Sequence, residues 1–478
     1  MKDYIRRFLQ AKELSLPTLA EKLGYKSKTS LDRIMNGSIR KSSLKRFESA
    51  MLAAFPLTAE EKVELHDAVR IAQNGRSTYL IEKEMWAILQ GDELLQGDEL
   101  MVYHADTGEE LNLRARLLEA KNVFATVLNC QYVVSLFKLL REILDRDDTQ
   151  VRHYLYVNQD QVRTIRAIHA LMPLLYQPGY QVFACKENQT DNFCGMNEAD
   201  VAVLNYQTTD GFFEQDLLVF QSPHSASLLT LPGYNAFSAQ ALFLKDKSYS
   251  SIKITYPKSE TPEDYIRYSS EAAELEYNRS VWKIKPDICL DLIPPPVLEA
   301  AMLRGAFGHQ PDTRYLEAIA PLRQVYLKRF QNTFSKKKHC FTLLKRGAMN
   351  RFVCTGRTTD HFWGMDCFTL EERVQVLQEL LHQQNENPYV HIYFLENDDT
   401  VRDMELVYYE GKGMLMLETD TNYRLTQQAD VMLVHQELQR LFPSFFVNVL
   451  VKEHALPESQ TPAILNELIQ KVKRLNYL

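Results

Sequence analysis

The first 75 residues carry apolar positions at helical spacing, interrupted at short intervals by residues that end helices. One predicted helix runs over residues 17–23 and stops at Gly24, and a second runs over residues 28–36 and stops at Gly37. Apolar side chains mark one face of each helix: Leu19, Ala20 and Leu23, then Leu31, Ile34 and Met35. Helices this short are unstable alone in water, so the pattern predicts that both pack against neighbouring elements.

Capping residues support this interpretation. Ser15 and Ser27 precede the two short helices as N-caps, and Thr58 with Glu61 forms a capping box before a later helix that would end at Gly75. Two more apolar stripes complete the region: Leu44, Phe47, Met51 and Phe55, then Leu65, Val69 and Ala72.

Beyond residue 116 the pattern changes to strands that alternate with helices. Five apolar runs predict strands, at residues 122–128, 152–157, 180–185, 199–206 and 216–221. Helical stretches at about 131–145 and 160–176 separate the first three. Strand, helix, strand, helix, strand predicts an α/β layer.

The C-terminal third repeats this alternation. It predicts a helix at 370–384, a strand at 389–395, a hairpin turning at residues 411–413, a strand at 445–451 and a final helix at 462–474. The unit LFKLLREIL…VRHYLYV is echoed by ERVQVLQELL…VHIYFL. This echo fits either an internal duplication or a chance match of two amphipathic helices that precede apolar strands.

A chain of 478 residues is too long for one core, so several domains are expected. The predicted segments are an all-α domain at 1–75, a helical linker at 76–115, an α/β domain at 116–256, a mainly helical connection at 257–334 and a second α/β domain at 335–478. The expected fold class is α plus α/β, with a mixed sheet and a helical insertion in the body. The linker contains LQGDEL twice, at 89–94 and 95–100, and its adjacent acids are typical of a solvated surface rather than a metal site.

Charge divides the chain unevenly. Residues 1–78 hold 15 Lys and Arg against 9 Asp and Glu, a balance of +6, and the other 400 residues hold 40 against 53, a balance of −13. A basic head on an acidic body is expected if the head binds a polyanion and the body does not.

The seven cysteines are scattered and never form a CxxC pair: Cys130, Cys185, Cys194, Cys289, Cys340, Cys354 and Cys367. This usage indicates reduced thiols and argues against a disulfide framework or a structural zinc site. The N-terminus MKDYIRRFLQ does not resemble a secretion signal, and no run reaches the roughly 18 apolar residues of a membrane span. We therefore expect a cytoplasmic protein without a membrane partner.

The outward side of the second short helix is polar, with Lys28, Thr29, Asp32, Arg33 and Asn36 on one stripe. The residues Leu19, Ala20, Leu23, Gly24, Leu31, Ile34, Asn36 and Gly37 follow the order LAxxLGxSxxxIxxIxxG. In this order the region resembles the helix-turn-helix domains of phage repressors, the Cro/CI or XRE type. The resemblance covers about residues 1–75 and implies a lambda-repressor-like domain of five short helices. The segment YKSKTS is one residue longer than the commonest turn of that family.

The resemblance implies which residues contact DNA. The base-reading positions of the family fall on Lys28, Thr29, Asp32 and Arg33, and its phosphate-contacting positions fall on Thr18, Ser30, Asn36, Arg40, Lys41 and Ser42. The side-chain chemistry agrees, because Lys and Arg donate to guanine, Asp accepts from cytosine, and Thr suits a thymine methyl. The resemblance further implies a transcriptional regulator that binds double-stranded DNA as a homodimer. The large body then suggests a domain that senses a small-molecule or peptide effector.

Other interpretations stay open. Lys28 and Asp32, four residues apart, could form a surface ion pair, and the head could be a protein-interaction module without a DNA role. The chain could also be an enzyme with a regulatory head, with His224, Asp360, His361 and His391 as the polar positions to test. However, no phosphate-binding glycine loop, nucleophile elbow or HExxH motif occurs. We therefore expect no catalytic residue, no cofactor and no metal.

Overall fold

A computed structural model describes most of the chain. The described residues are 1–90, 99–130, 133–157, 161–186, 200–230, 249–257, 261–308, 313–358, 365–402, 404–418 and 429–475. They form two compact units: Met1–Trp86 with Gln161–Arg166, and Ala87–Asp160 with Ala167–Leu478. Most of the LQGDEL duplication lies outside the described residues, as do Asp360 and His361.

The first unit is helical. Its helices are α1 (Lys2–Ala11), α2 (Leu16–Lys22), α3 (Lys28–Met35), α4 (Lys41–Ala54), α5 (Ala59–Asn74) and the first part of α6 (Arg76–Gln90). The predicted apolar stripes of the head meet in one core, where Leu19, Leu31, Ile34, Phe47 and Leu65 are fully buried. The helices at 17–23 and 28–36 and the capping box of Thr58 and Glu61 are confirmed.

The second unit contains two mixed sheets. The first has the strands β1 (Met101–His104), β2 (Glu110–Leu111), β3 (Lys121–Leu128), β4 (Gln150–Val157), β5 (Tyr180–Lys186), β6 (Val201–Gln207), β7 (Phe213–Ser222), β8 (Ser225–Thr230) and β9 (Tyr249–Ser251). Their order is β2-β1-β8-β7-β6-β3-β4-β5-β9. Strands β3, β4 and β5 are parallel, and the helices between them are α8 (Val134–Leu144) and α9 (Gln161–Leu175), with α7 (Leu113–Glu119) before β3. The five strands and two helices predicted here are confirmed.

The second sheet has the strands β10 (Lys253–Pro257), β11 (Val281–Lys285), β12 (Cys340–Leu344), β13 (Val390–Phe394), β14 (Met404–Tyr409), β15 (Gly413–Glu418) and β16 (Ala429–Leu433). Their order is β10-β16-β15-β14-β11-β12-β13. The surrounding helices are α10 (Pro262–Glu276), α11 (Pro295–Gly308), α12 (Thr313–Thr333), α13 (Arg346–Thr355), α14 (Leu370–Glu386), α15 (Gln436–Phe445) and α16 (Thr461–Leu475). None of the helices within the described ranges is long and apolar enough to cross a membrane.

The two sheets share one topology. In each, three parallel strands in chain order are followed by an antiparallel strand beside the first of them, and then by two further antiparallel strands. This correspondence pairs β4 with β12 and β5 with β13. The sequence echo instead pairs VRHYLYV of β4 with VHIYFL of β13, one strand out of register. The echo is therefore not the trace of the structural repeat.

Three expectations need correction. Residues 445–451 do not form a strand, because α15 continues into a π-helical segment at Phe446–His454. Its buried residues Phe446, Val449 and Leu450 follow helical spacing, and a short apolar run does not by itself distinguish a helix from a strand. The segment 76–115 is not a helical linker throughout, because β1 and β2 within it belong to the first sheet. The segment 257–334 is mainly helical, as expected, but it also contributes β11, an interior strand of the second sheet.

A chain of alternating charges is buried between β11 and the helices α10 and α12. The Arg329 guanidinium donates to Glu276 at 2.9 Å and lies 3.9 Å from Asp291, and Asp291 accepts from Lys283 and, at 3.1 Å, from Thr333. Burial is the largest single influence and would lower the pKa of Lys283. The Asp291 carboxylate, together with Glu276, Cys340 and Cys289, outweighs burial and raises this pKa. Each charge in this chain therefore depends on the next one for compensation.

Replacing Lys283 with Met should strongly destabilise the second unit. The substitution leaves Asp291 buried without its lysine, which costs about 3–5 kcal/mol. Urea unfolding of the full chain would measure the loss. Lys337→Met is the control, because Lys337 is exposed and should change stability by less than about 0.5 kcal/mol. Equal stabilities of the two variants would contradict a structural role for the charge chain.

Candidate nucleic-acid interface

The turn between α2 and α3 is fixed by its backbone. Ser15 caps α2 by accepting from the Thr18 N–H, and α2 ends in a left-handed residue, Gly24, at φ +73°. The Gly24 N–H donates to Glu21 O at 2.9 Å and the Tyr25 N–H to Ala20 O at 2.8 Å. These two bonds form the Schellman motif, which satisfies the last carbonyls of a helix.

Helix α3 begins and ends where the sequence indicates, with one difference. Ser27 is its N-cap residue, but its side chain makes no capping hydrogen bond. At the other end Gly37 has φ +70°, and the Ser38 N–H donates to Arg33 O at 2.9 Å, a second Schellman motif. Both ends of the helix are therefore set by local backbone geometry.

Burial fixes which side of α3 faces outward. Helix α2 packs against α3, with Ala20 only 2% exposed, and Leu31 and Ile34 of α3 fully buried. The opposite side carries Lys28, Thr29 and Arg33, all exposed. Asp32 is half-buried, at the border between the two sides.

The predicted phosphate-contacting residues differ in exposure. Asn36, Arg40 and Ser42 are exposed, while Thr18 and Ser30 are half-buried. The Thr18 hydroxyl already shares a hydrogen bond of 2.7 Å with the Ser15 hydroxyl. The side chain of Lys41 lies outside the described residues.

Acidic residues compensate the basic ones unevenly in the first unit. Arg7 and Lys12 pair with Glu64 and Glu61 of α5, the second pair at 2.6 Å. Lys22 lies over the Phe55 ring at 5.7 Å.

The α3 face lacks such partners. Among the described residues, no carboxylate lies within ion-pair distance of Lys28, Arg33 or Arg40, and Lys28 does not pair with Asp32. The positive charge of the head is therefore left unneutralised at α3 and the loop that follows it.

Two basic residues near this face were not predicted from the sequence. Burial raises the pKa of the Tyr25 phenol, and the Arg46 guanidinium opposes that shift, so Arg46 of α4 lies within electrostatic range of Tyr25 in the α2–α3 turn. Lys26 is exposed within the turn itself. The basic pair Lys45-Arg46 was the available signal, but the sequence does not show that Arg46 lies within electrostatic range of the turn.

Gly24→Ala should destabilise the first unit by about 1–2 kcal/mol, because an L-residue is strained at this left-handed φ. No atom lies within 4 Å of an added Cβ, so the loss is purely conformational. Thermal unfolding would measure it. Gly24→Asn is the control and should lose less, because Asn tolerates this conformation. Equal losses in the two variants would argue against backbone strain as the cause.

No family model matches the chain, and no curated protein matches it. Two solved structures align with about three quarters of it. Phosphatidylserine synthase from Haemophilus influenzae Rd KW20 is 9% identical, with 76% of this chain and 90% of that chain covered and a TM-score of 0.25. Polyphosphate kinase from Porphyromonas gingivalis is 9% identical, with 74% and 51% covered and a TM-score of 0.21. Scores this low support no conclusion about fold or function.

Proposed function

We propose that the first unit is a helix-turn-helix domain of the Cro/CI type and that the chain is a sequence-specific, DNA-binding transcriptional regulator. One observation carries the proposal. Helix α3 buries Leu31 and Ile34 and leaves Lys28, Thr29 and Arg33 exposed without a carboxylate partner among the described residues. A helix of this kind fits the major groove of duplex DNA.

The exposed side chains divide into two roles. Lys28, Thr29 and Arg33 read base edges, and Asp32 does so from the border of the face, where a carboxylate accepts from a cytosine amino group. Asn36, Arg40 and Ser42, with Ser30 and Thr18 beside them, contact the phosphates and fix the register of α3 on the duplex. Lys41 belongs to this second group by its place in the sequence.

The regulator acts as a homodimer in this proposal. One short helix contacts too few bases for specific binding, whereas two copies meet half-sites about 34 Å apart. The second unit supplies dimerisation and senses an effector, since about 400 residues exceed what dimerisation requires. The proposed role requires neither catalysis nor a cofactor.

Binding of the full chain to DNA should weaken steeply with salt. Each neutralised phosphate contributes a slope of about −0.9 in a plot of log affinity against log salt concentration. Fluorescence anisotropy with a DNA selected from a random pool would measure this slope. A selected inverted repeat supports the dimer, and affinity that does not fall with rising salt rules out the DNA proposal.

Arg33→Ala should relax base preference at one position of the half-site, by about 1–3 kcal/mol. Arg40→Ala should instead weaken all sequences alike and reduce the magnitude of the salt slope by about 1. Competition binding with single-base variants of the selected site distinguishes the two effects. Lys62→Ala is the control, an exposed lysine on α5 whose loss should change neither quantity.

The assignment of roles fails if Arg33→Ala and Arg40→Ala cause equal losses that do not depend on sequence. It also fails if Lys62→Ala weakens binding as much as they do. In that case the head would bind polyanions through its overall charge rather than through α3.

A further inference from the structure

The cysteines of the second unit differ sharply in access. Cys130, Cys289 and Cys340 are buried, and burial raises the pKa of the Cys130 and Cys340 thiols. Cys354 is exposed and Cys367 is partly exposed. Among the cysteines whose surroundings are described, only these last two are open to a soluble reagent.

The two accessible cysteines lie on segments that are tied together. Cys354 is in the last turn of α13, and the Phe368 N–H, next to Cys367, donates to Gly356 O at 2.9 Å. Arg373 joins the same two segments, because its guanidinium donates to Cys354 O at 3.2 Å and to Phe368 O at 2.7 Å. Cys367 is therefore one residue, and Cys354 two residues, from the backbone hydrogen bond that joins the two segments.

One guanidinium contacts the Cys367 sulfur, and a second lies within electrostatic range of both thiols. Arg357 Nε donates to Cys367 Sγ at 3.3 Å, and this bond raises the pKa of Arg357. Burial lowers the pKa of Arg373, and the charges of Cys367 and, more weakly, Cys354 act to raise it. Both thiols therefore lie within electrostatic range of the Arg373 guanidinium.

The acids near the site are already engaged. The Asp366 carboxylate accepts from the Cys367 N–H and lies 3.5 Å from Arg304, and Glu372 pairs with Arg304. Within the described part of the chain, no carboxylate forms an ion pair with Arg357 or Arg373, so both cations can stabilise a thiolate.

We propose that Cys367 and Cys354 form a peroxide-reactive thiol pair, in which Cys367 is oxidised first and Cys354 then closes a disulfide with it. The inference does not depend on DNA binding. Its basis is the Arg357–Cys367 contact, the shared Arg373 and the contrast with the buried cysteines.

The chemistry balances with hydrogen peroxide as the oxidant. The Cys367 thiolate attacks one oxygen, so an S–O bond forms, the O–O bond breaks, and the departing hydroxide takes a proton to leave as water. Cys354 then attacks the sulfenic sulfur as a thiolate, forming the S–S bond while the S–O bond breaks. The second hydroxide takes up the proton that the Cys354 thiol released on ionising, and it also leaves as water. Two thiols and one peroxide thus give one disulfide and two waters.

Peptide mapping of the full-length protein tests the pair. The protein is treated with hydrogen peroxide, its remaining thiols are alkylated, and a non-reduced digest is analysed by mass spectrometry. We expect a peptide that joins Cys354 to Cys367, while the peptides of Cys130, Cys289 and Cys340 stay reduced. A disulfide requires Cα atoms within about 7 Å, so the absence of this cross-link at full oxidation of Cys367 overturns the proposal.

Two variants test the order of events and the guanidinium. Cys354→Ser should stop the reaction at sulfenic acid on Cys367, trapped by dimedone. Arg357→Gln should slow oxidation of Cys367 by about fivefold or more, because the thiolate loses its charge-assisted hydrogen bond. Arg346→Gln is the control. It removes an exposed cation from the start of α13, the helix that carries Cys354, and should leave the oxidation rate of Cys367 unchanged.

Results that overturn the proposal are specific. Dimedone labels Cys354 in the Cys367→Ser variant and Cys367 in the Cys354→Ser variant. Equal labelling rates in the two variants would contradict the order in which Cys367 is oxidised first. Equal rates for Arg357→Gln and Arg346→Gln would remove the guanidinium effect. Circular dichroism of each variant confirms that rates are compared between folded proteins.

Discussion

The first unit depends on one constraint: α2 and α3 are too short to be stable unless each buries an apolar face. A seven-residue and an eight-residue helix gain stability only from packing. Ala20 is small enough to lie at the contact between them, and Leu31 and Ile34 complete it. Because a helix this short has one face to bury, the same packing that stabilises α3 also determines that Lys28 and Arg33 face outward. Stability and the proposed DNA contact thus have a common origin.

Charge is used differently in the two units. In the second unit, the charges of Lys283, Asp291, Arg329 and Glu276 are buried in a chain where each neighbour compensates the next. In the first unit, the acids of α5 pair with Arg7 and Lys12, whereas the basic residues of α3 have no such partner among the described residues. Positive charge is therefore left unpaired on the exposed face of α3, whereas the buried charges of the second unit described above compensate one another.

The two sheets of the second unit illustrate a limit of sequence comparison. Their shared topology is defined by which strands pair and in which direction they run. Many different apolar sequences can form strands with the same pairing and direction. The one visible echo in the sequence matches β4 with β13, whereas topology matches β4 with β12. Amphipathic helices that precede apolar strands resemble one another whether or not they occupy equivalent places.

The sequence by itself determined the elements whose signals are local. Gly24 and Gly37 mark helix ends because few other residues adopt a left-handed backbone, and Thr58 with Glu61 marks a helix start. Apolar runs mark the five strands β3 to β7 of the first sheet. Only the tertiary structure decided what depends on distant partners. It placed β11 in the centre of a sheet, turned residues 446–454 into a π-helical segment, and brought Arg357 to Cys367. Each of these outcomes depends on how segments pack against one another in the folded chain, which the local pattern of residues did not reveal.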